Sequence, residues 1–133
     1  MHLIVCTDNH MGLGFNGRRQ SRDRVLSSYL LKYVDGKPLW MAEYSAGLFD
    51  PADNIHVSPD FLLNAQEADF CFAEGLDPEI VKDRIQSLIL CRWNRDYPAD
   101  RFMTLDLSAW HLGEVREFSG SSHEKLTIEV YVK

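Results

Sequence analysis

The stretch LIVCTDNHMGLGFNGRRQSRDR, residues 3–24, decides the fold class of this chain. It begins with an apolar run, residues 3–6, that is typical of a buried strand. Three glycines follow, and they permit backbone angles that a Cβ would forbid. The stretch ends in a polar, arginine-rich segment that runs into apolar residues at helical spacing. A strand, a flexible loop and a helix in this order place polar side chains at the carboxyl edge of a parallel sheet.

The arginine-rich end of this stretch, residues 18–24, has a structural and a functional interpretation. In the structural one, Ser21 caps the first helix and Asp23 lies in its first turn, which requires no function. In the functional one, four arginines and one carboxylate form a local basic site. The sequence leaves both interpretations open.

The composition predicts one domain, residues 1–133, with a sizeable core. Apolar residues make up 45% of the chain and charged residues 26%, as in ordinary globular proteins. The net charge of −6 argues against an extensive nucleic-acid surface but allows a local basic site. The expected partner is therefore a small-molecule or nucleotide-type ligand, with nucleic acid disfavoured.

Cysteine and histidine usage argues against metals and disulfides. Cys6, Cys71 and Cys91 each lie in an apolar run, and their odd number without CxxC spacing predicts reduced core thiols. The histidines show no i,i+4 or HxH spacing, so no metal site is predicted. We find no leader and no apolar run long enough to span a bilayer, which predicts a cytoplasmic protein without a membrane partner.

The rest of the chain alternates strand and helix patterns and then changes to two-residue periodicity. Asp77-Pro78-Glu79 is a typical helix start, and apolar residues continue at helical spacing to Leu88. Residues 110–118 and 126–132 alternate apolar and polar residues on either side of a Ser/Gly turn, which predicts a hairpin. Strands are also expected at residues 54–57, 68–74 and 88–91, and short helices at residues 42–49 and 61–65. The predicted fold is α/β: a mixed, mostly parallel sheet with flanking helices and a C-terminal antiparallel hairpin.

Four stretches in this order resemble dihydrofolate reductase along nearly the whole chain. LGFNG, residues 13–17, is similar to the I-G-x-N-G of the mobile loop in that family. GKPLWMAEYSAGLF, residues 36–49, is similar to its K-P-[VL]-[IV]-M-G-R-x-T motif. Residues 68–94 follow its strand–turn–helix–strand order, and the terminal hairpin resembles its closing strands. The resemblance implies a dihydrofolate reductase-like fold and places the catalytic carboxylate of the family at Asp23.

The departures from that family fall on the cofactor motifs. Where the resemblance implies an arginine for the ribose phosphate of NADPH, this chain has Glu43, which would repel a phosphate. Where it implies a Gly-Gly pair at the pyrophosphate, the chain has Ala73-Glu74. NADPH is therefore not expected to bind, and no cofactor is predicted.

Two further groups of residues carry candidate chemistry. Arg92 and Arg95 flank Trp93 after a buried strand, and together they would stack on a ring and hold a phosphate or carboxylate. In the structural interpretation, Trp93 lies in the core and the two arginines pair with surface acids. His123, next to Ser122 in the hairpin turn, offers acid–base chemistry, and the resembled fold would bring it to the loop 18–23. The predicted catalytic residues are Asp23 and His123. The predicted ligand-binding residues are Arg18, Arg19, Gln20, Ser21, Tyr44, Arg92, Trp93 and Ser122.

The predicted function is binding of a small anionic or ring-bearing ligand, with NADPH-dependent reduction doubtful. One alternative is a hydrolase of the ribonuclease type that acts on a phosphodiester through Arg18, Arg19 and His123. Another is a non-enzymatic interaction protein, so the sequence leaves open whether the chain is an enzyme. A nucleophilic serine is not predicted, because Ser21 and Ser45 have no adjacent base in sequence and no G-x-S-x-G motif exists.

Overall fold

The first strand of the chain lies at the centre of the sheet. The computed structural model describes all residues, 1–133. Strand β1, His2–Thr7, pairs in parallel with β5, Phe70–Phe72, on one side and with β6, Ser87–Arg92, on the other. Leu3, Ile4 and Val5 of β1 are completely buried because both edges and both faces of the strand are covered.

The main sheet has seven strands in the order β4-β3-β5-β1-β6-β9-β8. Its other strands are β3 (Leu39–Met41), β4 (Ile55–Val57), β8 (His111–Phe118) and β9 (Leu126–Val132). Strands β3, β4, β5, β1 and β6 run parallel, whereas β9 is antiparallel to β6 and to β8. Strands β2 (Gly12–Gly14) and β7 (Arg101–Phe102) form a separate two-stranded sheet. The predicted mixed sheet and C-terminal hairpin are confirmed.

The sheet divides the core into two apolar layers, one on each of its faces. Helix α1 buries Leu26, Leu30 and Val34 on one face of the sheet, as its helical spacing predicts. The α-helices are α1 (Arg24–Val34), α2 (Glu43–Ala46) and α3 (Phe61–Asn64), and the 3-10 helices are Pro78–Arg84 and Leu107–Ala109. None of these helices has the length and apolarity that a membrane span requires.

Two local predictions are wrong. The capping residue of α1 is Asp23, not Ser21, because the Asp23 carboxylate accepts the first free amides of the helix. The segment after Asp77 forms a 3-10 helix that ends at Arg84, with non-helical angles at Val81, instead of an α-helix running toward Leu88. Leu88 belongs to β6 and is completely buried in the sheet, so tertiary packing overrides the helical spacing there.

Candidate functional site

The site begins with a carboxylate at the start of α1. Asp23 is buried, and its Oδ1 accepts hydrogen bonds from the backbone N–H groups of Val25 (2.9 Å) and Leu26 (3.3 Å). These are two of the amides that have no partner within a helix. Capping explains why an aspartate stands here, but it uses only part of the hydrogen-bonding capacity of the carboxylate.

The β8–β9 turn supplies the remaining partners of this carboxylate. The backbone N–H of Ser121 donates to Oδ1 of Asp23 (3.0 Å), and that of Ser122 donates to Oδ2 (2.8 Å). Nδ1 of His123 lies 2.9 Å from the same Oδ2. Asp23 therefore joins the first helix to a turn about a hundred residues later in the chain.

His123 is the central side chain of this cluster. Its ring is 1% exposed and stacks on Trp93, with the ring centroids 4.8 Å apart and the planes at 21°. Its Nε2 lies 3.2 Å from Oγ of Ser21 and 2.9 Å from the Tyr97 hydroxyl. Tyr97 is not among the predicted site residues, because a tyrosine before Pro98 indicates only the end of a regular element. We call Ser21, Asp23, Tyr97 and His123 the histidine cluster.

Hydrogen bonding keeps two buried carboxylates ionised. Burial alone would raise the pKa of Asp23, but the hydrogen bonds from His123 and from the amides of Ser121, Ser122 and Leu26 outweigh it and hold that pKa well below its usual range. Burial likewise opposes ionisation of Asp8, and several hydrogen bonds lower its pKa, from the amides of Gly12, His10 and Tyr97 and the side chain of Gln20. Each carboxylate fixes one end of the loop that follows β1.

We expect the free energy of unfolding to fall as the pH drops below about 4, the ordinary pKa of a carboxyl group. The pKa values of Asp23 and Asp8 are lowered in the folded state, so their stabilising contribution is complete above that pH. It is lost as the pH falls toward the folded-state values. Urea denaturation at pH 7, 4 and 3 measures this loss. Asp23→Asn removes one of the two carboxylates, so its free energy of unfolding should fall less between pH 4 and pH 3 than that of the wild type. An equal fall in the two proteins would contradict the lowered pKa of Asp23.

A second group of side chains lies around an ion pair at the end of β5. Arg19 donates to both carboxylate oxygens of Glu74, with Nε–Oε2 at 2.7 Å and Nη2–Oε1 at 2.9 Å. The hydroxyl of Ser45 also donates to Glu74 (2.8 Å), and the Arg19 guanidinium lies 4.0 Å from the centroid of the Tyr44 ring. The charge of Arg19 is thus largely matched within the protein.

Beside this ion pair is a cavity of about 100 Å³, which we call the arginine cavity. Three arginines face it, namely Arg18, Arg19 and Arg101. Nη1 of Arg101 donates to the carbonyl oxygen of Gly75 (2.9 Å), and Arg18 is exposed. The remaining lining residues are Gly14, Phe15, Gly17, Tyr44, Glu74, Gly75 and Asp100. Because three guanidinium groups face two carboxylates, the cavity is locally cationic in an acidic chain.

The predicted residues therefore divide between two places, and two of them lie at neither. Asp23, Ser21, Ser122 and Trp93 meet around His123, while Arg18, Arg19 and Tyr44 line the arginine cavity. Arg92 instead pairs with Glu129 (Nε–Oε1, 2.7 Å), and Gln20 donates from Nε2 to Asp8 (3.1 Å). The predicted clamp of Arg92 and Trp93 on a ligand ring does not form, because Trp93 is 5% exposed and stacks on His123.

Comparison with known proteins relates the fold to one enzyme family. The chain is similar in structure to dihydrofolate reductase from Enterococcus faecalis complexed with NADP(H) and RAB-propyl. The TM-score is 0.67 at 14% sequence identity, over 98% of this chain and 94% of that chain. No protein-family model and no curated protein matches the sequence. The dihydrofolate reductase-like fold is thus confirmed, and the likeness extends to the fold alone.

The residues of this chain do not fit the phosphates of NADP(H). Ala73 is buried and Glu74 is held by Arg19 and Ser45, so a side chain and a carboxylate lie just after β5, where the resemblance implies a Gly-Gly pair at the pyrophosphate. Glu43, the first residue of α2, adds an exposed carboxylate next to Tyr44 in the sequence. The cavity of about 100 Å³ is also smaller than the pockets of about 300–1,000 Å³ that hold drug-sized ligands. We assign no chemistry to this cofactor.

Proposed function

We propose that this protein binds a small ligand with a phosphate or carboxylate group, which enters the arginine cavity. The observation that carries the proposal is the convergence of Arg18, Arg19 and Arg101 on one cavity in a chain of net charge −6. Guanidinium groups bind such anions through paired N–H donors. A cationic cavity on an otherwise acidic surface also concentrates small anions in preference to long polyanions.

The three arginines have different roles in this proposal. Arg19 already pairs with Glu74, so it shapes the wall of the cavity and holds Tyr44 in place. Arg101 is anchored to the Gly75 carbonyl by one nitrogen, which leaves its other donors free. Arg18 has no charged partner in the structure. Arg18 and Arg101 are therefore the residues that neutralise the ligand.

The size of the cavity limits what enters it. A volume of about 100 Å³ has room for several water molecules, each of which needs about 10–15 Å³ of such a cavity, and this suits a phosphate or carboxylate group. A ring attached to that group would lie outside, against the half-exposed Tyr44. A mononucleotide has both parts, so AMP is a suitable probe. We do not propose NADPH-dependent reduction as the activity of this protein.

We expect AMP to raise the melting temperature of the protein by several degrees when added at a hundred times its dissociation constant. Such an excess adds about 2.7 kcal/mol of stability, a readily measured change in a domain of this size. A thermal-shift assay with AMP, inorganic phosphate, NADPH and dihydrofolate measures it. The double variant Arg18→Gln/Arg101→Gln should lose the shift, whereas Arg116→Gln, an exposed arginine on β8, should keep it.

Two results would contradict the proposal. A shift with NADPH and dihydrofolate would mean that the carboxylates of Glu43 and Glu74 do not exclude the cofactor. No shift with any anion would favour the interaction-protein alternative.

The phosphodiesterase alternative has weaker support, because Arg19 is paired and the His123 ring is buried. Cleavage of a short RNA that is lost in His123→Gln would favour it.

A cytoplasmic location also stays a proposal. It is supported by the three unpaired cysteines, of which Cys71 and Cys91 are buried.

A further inference from the structure

The histidine cluster contains an arrangement that the sequence does not reveal. Oγ of Ser21 lies 3.2 Å from Nε2 of His123, and Nδ1 of the same ring lies 2.9 Å from Oδ2 of Asp23. The base of Ser21 is 102 residues away in sequence, so no motif of neighbouring residues indicates it. The order hydroxyl, imidazole, buried carboxylate is that of a nucleophile, a general base and an orienting group.

We propose that Ser21 is a catalytic nucleophile, with His123 as its general base and Asp23 as the positioning residue, in a site that hydrolyses esters of small acyl groups. This activity is separate from the anion binding proposed for the arginine cavity, because none of these three residues lines that cavity.

The tautomer of His123 follows from its partners. The carboxylate of Asp23 only accepts hydrogen bonds, so in the neutral ring the proton lies on Nδ1 and the lone pair on Nε2. That lone pair faces the hydroxyls of Ser21 and Tyr97. When Tyr97 donates to Oγ of Ser21 (3.2 Å), the Ser21 proton points to Nε2. This is the orientation that general-base activation of Ser21 requires.

Free backbone donors adjoin the nucleophile. The amide N–H groups of Ser21 and Arg22 precede α1 and donate to no acceptor in the protein. In acyl transfer, the amide of the nucleophile and that of the next residue commonly stabilise the oxyanion. These two amides are the donors that we assign to that role.

A small apolar crevice at Ser21 sets the substrate class. It has a volume of about 10 Å³, and its apolar lining comes from Cys6, Leu26, Leu30, Leu48, Phe72 and Trp93. This space is about what one water molecule needs, so an acyl chain longer than acetyl would not fit. The alcohol side of the ester would remain on the solvent side of Ser21, which is partly exposed.

The proposed reaction has two steps, acylation and deacylation of Ser21. In the first, Oγ of Ser21 forms a bond to the carbonyl carbon and gives its proton to Nε2 of His123. The bond from that carbon to the ester oxygen then breaks, and the leaving oxygen takes the proton from Nε2. In the second step, water gives a proton to Nε2 and attacks the acyl group. Ser21 recovers the proton as it leaves, and the products are a carboxylic acid and an alcohol.

Labelling with a fluorophosphonate probe tests the nucleophile. We expect mass spectrometry to find the intact protein phosphonylated at Ser21 with loss of fluoride. Labelling should be abolished in Ser21→Ala, slowed at least 100-fold in His123→Gln, and unchanged in Ser108→Ala, an exposed serine elsewhere. Circular dichroism first shows that each variant is folded. Absence of label on the folded wild-type protein, or a label on Tyr97 instead of Ser21, would overturn the proposal.

Hydrolysis of p-nitrophenyl acetate tests the role of Asp23. Asparagine at this position would donate to Nδ1 and force the wrong tautomer, a change that lowers kcat by about 10⁴ in Ser-His-Asp enzymes. We expect folded Asp23→Asn to lose kcat by at least 100-fold with little change in KM. A merely structural aspartate would leave kcat of the folded fraction unchanged, and that result would overturn the assignment of Asp23.

Discussion

Replacing Asp23 by alanine should lower the free energy of unfolding by about 3–5 kcal/mol, the cost of removing one partner from a buried, hydrogen-bonded charge network. The substitution leaves the amides of Val25, Leu26, Ser121 and Ser122 without their acceptor. Part of the loss is that of an N-cap, about 0.5–2 kcal/mol, and the rest comes from separating α1 from the β8–β9 turn. This is a large share of the stability of a typical domain.

Urea denaturation of the wild type and of Asp23→Ala measures the difference. Asp53→Ala is the matched control, because Asp53 is exposed and makes no hydrogen bond or ion pair in the structure. The control should stay within about 0.5 kcal/mol of the wild type. A loss below about 1 kcal/mol in Asp23→Ala would mean that the carboxylate does not join the helix to the turn.

Replacing Gly120 by alanine should cost about 2–3 kcal/mol, at the upper end of the range for overpacking a filled site. A Cβ at Gly120 would collide with Oδ2 of Asp23 and would lie 2.9 Å from the Cδ1 of Leu126. Asp23 cannot move away without losing the donors that hold it, and Leu126 is buried in β9. The backbone N–H of Gly120 also donates to the His123 carbonyl (3.0 Å), so the turn has little freedom to shift.

Gly47→Ala is the matched control for this prediction. No atom lies within 4 Å of a Cβ built at Gly47, and its φ of −67° suits any residue. Its melting temperature should equal or slightly exceed that of the wild type, since alanine reduces the entropy of the unfolded chain. Equal stability of Gly120→Ala and Gly47→Ala would show that the turn does not pack tightly on Asp23.

The fold could be predicted well because its main signals are local. The apolar run of β1 and the two-residue periodicity of β8 and β9 lie in short stretches of sequence, and each forms the predicted element. The segment Pro78–Arg84 departs from prediction because the apolar residues after it do not extend a helix. Ile85 lies just before β6, Leu88 lies in β6, and both are buried in the core. Both residues are apolar because they pack in the core, and not because they form one face of a helix.

The site could be predicted only in part, because its contacts join distant residues. The sequence singled out Asp23 and His123, but Ser21 was assigned no base and Tyr97 was missed. Their partners lie 102 and 26 residues away in the chain. Arg19 was expected to hold a ligand, and its pairing with Glu74 depends on how the loop after β2 folds over the end of β5. No local sequence pattern predicts a contact between residues so far apart in the chain.

Anion binding in the arginine cavity is tested most directly by NMR. The ¹⁵N-labelled protein is titrated with AMP while its backbone amide resonances are followed. We predict that the perturbed amides are those around the cavity, at Gly17, Arg18, Gly75 and Arg101. The perturbations should disappear in Arg18→Gln/Arg101→Gln and weaken as salt screens the charges. Perturbations centred elsewhere, or none at millimolar AMP, would contradict the assignment of this cavity as an anion-binding site.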